Sequence, residues 1–388
     1  MAIVKPNYRG STVVNLVHSI YKSLEIDCGT RNKYELEILK TKKREFKDKI
    51  ILIIIDGAGE SFYRTYQEEL GLDDWYLGTI QSVYPSTTAS SITSLLTGLT
   101  PAGHGIPGWH TFFNDISSIV NILPFKQRYS LKKKRLSKDI PNNYILFSKE
   151  AKELTKRMLF LQPNFLSETT YSKHLAGFAA RRGYNSYQEF FQIIESFITE
   201  NLSRKFAYAY LPAIDSLSHK YGQNSIPVLS EARIIGSILR KIYLLAEKNE
   251  TSVIVTADHG FVPNSVNTTI TTKQHPQLKK MLKLPLCGEP RTAFAYVHPK
   301  EKKNFMDYMQ TYLKSEITVK SSKEMLKENW FGIGRANPEF EGRLGDFVLC
   351  MNDNYSIFDS LINETMPNLK GVHGGWLTEE VNVPLFLN

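Results

Sequence analysis

The chain predicts an α/β fold, a largely parallel sheet flanked by helices, from three observations. Short apolar runs at residues 50–55, 206–211 and 252–256 are each followed closely by polar or glycine-containing turns, which is how strands buried on both faces read. Between the last two, Ile234, Ile235, Ile238, Leu239, Ile242 and Leu245 recur at helical spacing, and the pattern stops before Asn249. Strand and helix therefore alternate, and that alternation favours parallel strands joined by helical crossovers.

With 388 residues and 42% hydrophobic content the chain can bury a large core. We expect one domain over 1–388 with two departures from its rhythm. The stretch 110–183 carries a basic run, Pro124, Pro141, Pro163 and many Asn, Ser and Tyr residues, and is expected to be a cap or insertion. The stretch 262–347 holds a further strand candidate at 292–297, with another at 347–350, and is expected to form a smaller subdomain. The longest apolar block, residues 50–55, is far too short to span a bilayer, and the N-terminus lacks a secretory pattern. A cytoplasmic protein is expected. Cys28, Cys287 and Cys350 are odd in number, widely spaced and free of CxxC pairs, so neither a disulfide framework nor a thiolate metal site is indicated.

The formal net charge is +9, and much of it is local. Lys126, Arg128, Lys132, Lys133, Lys134, Arg135 and Lys138 form one basic stretch; Lys40, Lys42, Lys43 and Arg44 form another. Each reads as a solvated face, with a polyanion-binding patch as the alternative. No nucleic-acid motif accompanies them, so nucleic acid is not an expected partner.

The run 84–98 (YPSTTASSITSLLTG) places a hydroxyl cluster where a strand gives way to a helix. Ile92, Leu95, Leu96 and Leu99 fall at helical spacing, Gly98 supplies a stop, and the hydroxyl residues occupy the first turn. Such a helix aims its free amides and positive dipole end at whatever Thr88 touches. Taken alone, these hydroxyls also serve as caps.

Four other segments present ligand-type side chains. Asp56 directly follows the run 50–55, where open α/β sheets gather ligands. After the run 206–211, Asp215 and His219 stand four residues apart, and one helical turn puts them on the same face. Asp258 and His259 follow the run 252–256, and His373 is embedded among glycines in Gly371-Val372-His373-Gly374-Gly375. Three aspartates, three histidines and a threonine hydroxyl divide between two adjacent sites for divalent cations. Hard oxygen and borderline nitrogen donors without sulfur suit zinc best, with manganese or iron also admissible.

In these ordered motifs, together with Pro101 and Gly103-His104-Gly105, the chain resembles the alkaline phosphatase superfamily, and most closely its type I phosphodiesterase and nucleotide pyrophosphatase branch. The resemblance covers most of the chain and implies that Asp56, Thr88, Asp258 and His259 hold one metal, while Asp215, His219 and His373 hold the other. It makes Thr88 the nucleophile, chosen over Thr87 by counting back from Thr97-Gly98. A phospho-threonine intermediate is implied. Ser91 falls where nucleotide pyrophosphatases carry an asparagine that binds a phosphate oxygen, and the amides near Ser90 and Ser91 are expected to assist. Sulfatase chemistry is disfavoured, since Thr88 is not the cysteine or serine that becomes formylglycine.

Two divalent cations set against three aspartates and an alkoxide leave a nearly neutral site, which suits a monoanionic diester better than a dianionic monoester. A monoesterase needs an added cation, for which Arg291 is the candidate, with a simple turn residue as the other reading. His104 is expected to tie the loop after the helix. Trp109, Phe112 and Phe113 either stack on substrate or belong to the core. The expected substrate is a small phosphodiester or nucleotide; the alternatives are a phosphomonoesterase and a catalytically silent polyanion-binding protein.

Overall fold

The computed structural model describes residues 2–26, 34–131, 136–137, 139–200, 205–361, 364–365 and 367–388. Cys28 and the basic residues 132–135 and 138 lie outside the described residues.

The main sheet has seven strands: β1 (Lys49–Ile55), β2 (Tyr76–Gln81), β3 (Met158–Pro163), β4 (Ala180–Tyr184), β5 (Phe206–Leu211), β6 (Thr251–Thr256) and β7 (Asn382–Leu387). Their spatial order is β2-β7-β6-β1-β5-β3-β4. The run from β6 to β4 is parallel throughout, and only β7 runs against its neighbours. This is the largely parallel sheet expected. β1, β5 and β6 are buried almost from end to end, which explains their unbroken apolar runs.

Register aligns the strand ends. Ile55 pairs with Leu211 and Ile54 with Thr256, so the carboxyl ends of the three adjacent central strands are nearly flush. Asp56, the turn after Leu211 and the Asp258-His259 pair therefore leave the sheet at one rim. Helix α1 (Thr88–Thr97) has Thr87 as N-cap and Gly98 as its stop at φ 65°, and every residue in it is buried. Helix α2 (Ala213–Tyr221) follows β5, and α3 (Ile226–Lys248) carries the predicted apolar periodicity along a buried face that includes Ile235, Leu239 and Ile242.

The stretch 110–183 is not one cap. Its strands His110–Phe113, Ser118–Asn121 and Lys126–Ser130 enter a second, antiparallel seven-stranded sheet, whereas β3 and β4 complete the far edge of the main sheet. The region 262–347 likewise does not stand alone. Cys287–Gly288, Thr292–Ala295 and Ile317–Ser321 join the second sheet, with Phe347–Met351 beyond the expected boundary and the strands from 110–130 beside them. The link between the two stretches is the pairing of Gly288 with His110, a contact that composition does not report. No helix among the described residues is long and apolar enough to cross a membrane.

Candidate active site

The flush strand ends bring the predicted residues together. Thr88 Oγ1 lies 3.1 Å from His259 Nε2 and 3.4 Å from Asp56 Oδ1. His259 Nε2 is 3.3 Å from Asp56 Oδ1 and 3.6 Å from Asp258 Oδ2. Beside this group, Asp215 Oδ1 is 3.4 Å from His219 Nε2 and 3.6 Å from His373 Nε2, and the two imidazole nitrogens are 3.2 Å apart. His259 borders both groups, since its Nε2 is also 4.0 Å from Asp215 Oδ1 and its ring stacks on His373 at 3.7 Å.

Local structure explains each orientation. Asp258 Oδ1 accepts from the amides of Gly57 and His259 at 3.1 and 3.0 Å, which turns Oδ2 toward the cluster. Gly57 sits at φ +74°, and a Cβ there would meet the Phe261 ring at 2.5 Å, so only glycine lets Asp56 and Asp258 approach. The α2 turn sets Asp215 and His219 on one face, as their spacing predicts. His219 Nδ1 donates to the Gly371 carbonyl at 2.9 Å, and His259 Nδ1 to the Gly260 carbonyl at 3.1 Å. Both bonds leave Nε2 as the ligand atom. His373 follows the strand Gly371–Val372, which pairs with Val262–Pro263 and so is carried to the 258–263 loop.

The donor set fits divalent cations. Asp215 Oδ1 and Asp258 Oδ2 are buried without a hydrogen-bond partner among the described residues, although they converge on imidazole nitrogens. Burial first, then repulsion from Asp56, raises the carboxyls of both Asp215 and Asp258 well above the usual range. Burial opposes a charged His259 ring, but Asp258, Asp56 and Asp215 outweigh it and push the imidazole up to about 10. Burial holds His219 and His373 below the usual value, helped by neighbouring imidazoles. Buried carboxyls that repel one another and lean on a single raised imidazole form an arrangement that cations relieve. Two ligand groupings result, Asp56-Asp258-His259 and Asp215-His259-His373, with His219 against the second.

The site opens into a cleft of about 640 Å³ whose lining includes Thr88, Asp56, Asp215, His219 and His373. Ser91 does not reach it. The Ser91 side chain is fully buried, and the amides of Ser90 and Ser91 donate to the Thr87 carbonyl at 3.1 and 2.8 Å. The expected amide contacts are therefore already made within the helix, while the Ser91 hydroxyl is buried without a hydrogen-bond partner among the described residues and away from the cleft lining. Arg291 does not fold into the site either. It is fully buried and bonded to Glu380 through Nε at 3.0 Å and Nη2 at 2.9 Å. His104 is structural as expected, with Nε2 3.0 Å from Ser94 Oγ and Nδ1 accepting from the Ile106 amide at 3.1 Å. Trp109 lines the cleft, whereas Phe112 and Phe113 are core residues.

Sequence reasoning missed two groups. The Tyr210 hydroxyl donates to Asp56 Oδ2; it lies one residue before the end of β5, and pairing with Ile54 brings it beside the rim. Glu289 lines the same cleft from the second sheet; it adjoins the Arg291 that drew attention, and nothing local marks it.

The chain matches the type I phosphodiesterase/nucleotide pyrophosphatase family over residues 50–376. No curated protein matches it. Among solved structures, murine ectonucleotide pyrophosphatase/phosphodiesterase 5 superposes with a TM-score of 0.65 at 16% identity, over 87% of this chain and 87% of that one. Phosphonoacetate hydrolase from Sinorhizobium meliloti 1021, in complex with phosphonoacetate, gives a TM-score of 0.62 at 17% identity, over 88% of this chain and 90% of that one. Identities this low establish a common fold; the family match spans both the central strands and the rim residues they deliver. The chain belongs to the type I phosphodiesterase/nucleotide pyrophosphatase family of the alkaline phosphatase superfamily, hydrolases of phosphoester and phosphoanhydride bonds that depend on metal.

Proposed function

We propose that the chain hydrolyses phosphodiesters or nucleotide phosphoanhydrides through a phospho-threonine on Thr88, with two divalent cations, zinc by preference. The observation that carries this reading is Thr88 Oγ1 on the cleft wall, 3.1 Å from His259 Nε2 and 3.4 Å from Asp56 Oδ1, at the edge of the paired ligand groups. Asp56, Thr88, Asp258 and His259 would hold one cation; Asp215, His219 and His373 would hold the other. Three imidazoles and three carboxylates without sulfur favour zinc. Bound cations would supply Lewis acidity, lowering the pKa of the hydroxyl and neutralising charge on the phosphoryl oxygens.

The chain's own groups do the rest. The N-terminus of α1 points its first amides at the phosphoryl oxygens. Asp56, oriented by Tyr210, accepts from the Thr88 hydroxyl in the resting protein. The cleft of about 640 Å³ has room for a nucleotide-sized group. An inactive variant of the mouse relative was solved with AMP, and the Sinorhizobium relative with phosphonoacetate; both ligands carry the phosphoryl or phosphonyl group this reading requires. Diesters are favoured over monoesters because the one arginine among the described residues lining the cleft, Arg128, is engaged by Glu364 through Nε and Nη2, each at 3.0 Å.

The test strips the protein with chelator, restores zinc or manganese, and compares bis-p-nitrophenyl phosphate with p-nitrophenyl phosphate. Metal-dependent preference for the diester supports the reading. Thr88→Ala should abolish turnover and retain metal, and undiminished turnover in that variant sinks the nucleophile assignment.

A further inference from the structure

Glu289 occupies an uncommon position for a carboxyl. It sits at the tip of the hairpin between Cys287–Gly288 and Thr292–Ala295, where its amide donates to the Thr292 carbonyl at 2.8 Å. Gly288 holds φ +81°, and a Cβ there would meet the Thr292 carbonyl at 2.4 Å, so the tip is tightly drawn. The side chain is 7% exposed and lines the cleft that Thr88 lines.

A single oxygen, Oε1, accepts from the Thr87 hydroxyl at 2.8 Å and from the Trp109 amide at 2.6 Å. Thr87 is the N-cap residue immediately before Thr88. On the other side, Gly374, next to the ligand His373, comes so close that a Cβ there would lie 2.7 Å from Glu289 Cβ. The carboxyl is thus wedged between the segment bearing the nucleophile and the segment bearing a metal ligand. Its charge is felt at both His259 and His219. Among the described residues no lysine, arginine or histidine nitrogen comes within ion-pairing distance of it.

A carboxylate buried without a counter-charge is costly. Two neutral donors orient this one, and a glutamine would satisfy them equally well. The hydrogen bonds therefore do not explain the charge, whereas the neighbouring reaction does. A phosphoryl group attacked by Thr88 must sit beside the nucleophile segment that Glu289 braces. A diester brings one negative charge to that place, whereas a monoester brings two. A fixed negative charge in a cleft of low dielectric penalises the second charge of the monoester more than it penalises the diester.

We propose that Glu289 is a specificity-determining residue that selects monoanionic phosphodiesters against dianionic monoesters by charge, acting on a phosphoryl group already placed by Thr88. The inference rests on the phosphodiesterase reading above and names the residue that narrows it. It also accounts for an ionisable side chain at a position whose hydrogen bonds need no charge. Burial, its largest cause, raises the Glu289 carboxyl to about 7 in the metal-free protein, so the group is ionised in an assay at about pH 8.5.

The experiment compares wild type, Glu289→Gln and Glu289→Asp, each loaded with zinc. Three quantities are read: the diester-to-monoester ratio of kcat/KM, the affinity for inorganic phosphate by calorimetry, and zinc content. Glutamine keeps an acceptor for Thr87 and Trp109 and removes only the charge; aspartate keeps the charge. Glu289→Gln should lower the diester-to-monoester ratio at least tenfold and bind inorganic phosphate at least tenfold more tightly, with zinc content unchanged. Glu289→Asp should keep the wild-type ratio even if its absolute rates fall. An unchanged ratio and unchanged phosphate affinity in Glu289→Gln overturn the proposal, and so does loss of zinc from that variant, which assigns the carboxyl to holding the ion. Wild type inert on both esters would defeat the phosphodiesterase reading alone, because phosphate affinity still decides the role of Glu289.

Discussion

Replacing Arg291 by methionine tests how the second sheet holds the His373 segment. Arg291 and Glu380 are both fully buried and joined by two hydrogen bonds at 3.0 and 2.9 Å. Glu380 also accepts from the amides of Gly375 at 2.8 Å and Leu377 at 3.3 Å. The arginine thus anchors the acid that shapes the turn directly after His373. Methionine fills much of the same volume but leaves a carboxylate in the core with no cation. Stranding one partner of a buried pair costs roughly 3–5 kcal/mol, and the two remaining amide donors argue for the lower end, about 3. At about 2.1 cal/mol/K per residue, the unfolding entropy of 388 residues is roughly 0.8 kcal/mol/K, so a loss of about 3 kcal/mol lowers Tm by about 4 °C. Scanning calorimetry of metal-free protein reads this directly. Adding Glu380→Gln should recover at least half of the loss, since glutamine removes the stranded charge and keeps an acceptor for the amides. A single variant melting within about 1 °C of wild type refutes the reasoning, as does a double variant less stable than the single one.

Tyr210→Phe removes the hydroxyl that donates to Asp56 Oδ2, and a lost partner behind a metal ligand should reduce zinc affinity or turnover by about 10-fold or more; a zinc titration with wild-type affinity and rate excludes that role. His104→Leu orphans the Ser94 hydroxyl and the Ile106 amide, so urea unfolding should show a loss of about 2–4 kcal/mol while zinc content per folded chain stays at the wild-type value. For metal-free protein the pH dependence has a definite sign. His259 is raised to about 10 and Glu289 to about 7, both above their unfolded values, so each contributes stability that is present at low pH and lost as pH rises through its folded value. His219 and His373 are depressed and act only in more acidic solution. The Glu289 contribution is therefore lost between about pH 4.5 and pH 7 and the His259 contribution between about pH 6.5 and pH 10, with the raised Asp215 and Asp258 acting in the same direction. Tm should fall from about pH 7 to pH 10 as His259 loses its proton, and zinc should flatten that slope by replacing it; a level metal-free profile contradicts this electrostatic picture.

The parallel core is legible in the sequence because burial on both faces leaves no polar alternation to dilute the signal. The runs at β1, β5 and β6 match the observed strands to within a residue at each end. β3 is buried along its whole length, yet the prolines and polar residues around it make the region read as a cap. β4 is hidden for another reason. It lies at the sheet edge, and Arg181 and Arg182 are exposed there, so an edge strand that avoids aggregation by carrying charge reads as a loop. The second sheet is harder still, since its strands come from two stretches of chain and meet through the short Gly288–His110 pairing.

The same distinction separates the site residues that can be read from those that cannot. Asp56, Asp215, Asp258 and His259 each follow a strong strand at short range, so position on the chain nearly determines position at the rim. Their chemistry then limits what they do. Ser91 departs from expectation because spacing along a helix does not say which face is exposed; α1 is buried all round, and only its N-terminal end opens on the cleft. Glu289 presents the opposite difficulty. It meets Thr87 across 202 residues of sequence, from a different sheet, in a tetrapeptide whose charge is shared by a neighbouring arginine that points elsewhere. The rim of the parallel sheet therefore carries its ligand-type residues in local motifs, while the antiparallel sheet supplies a wall of the cleft beside Thr87 through contacts that exist only after folding. Substitutions in the rim should abolish phosphoryl transfer, whereas substitutions in that wall, Glu289 first among them, should change which phosphoryl compound is accepted.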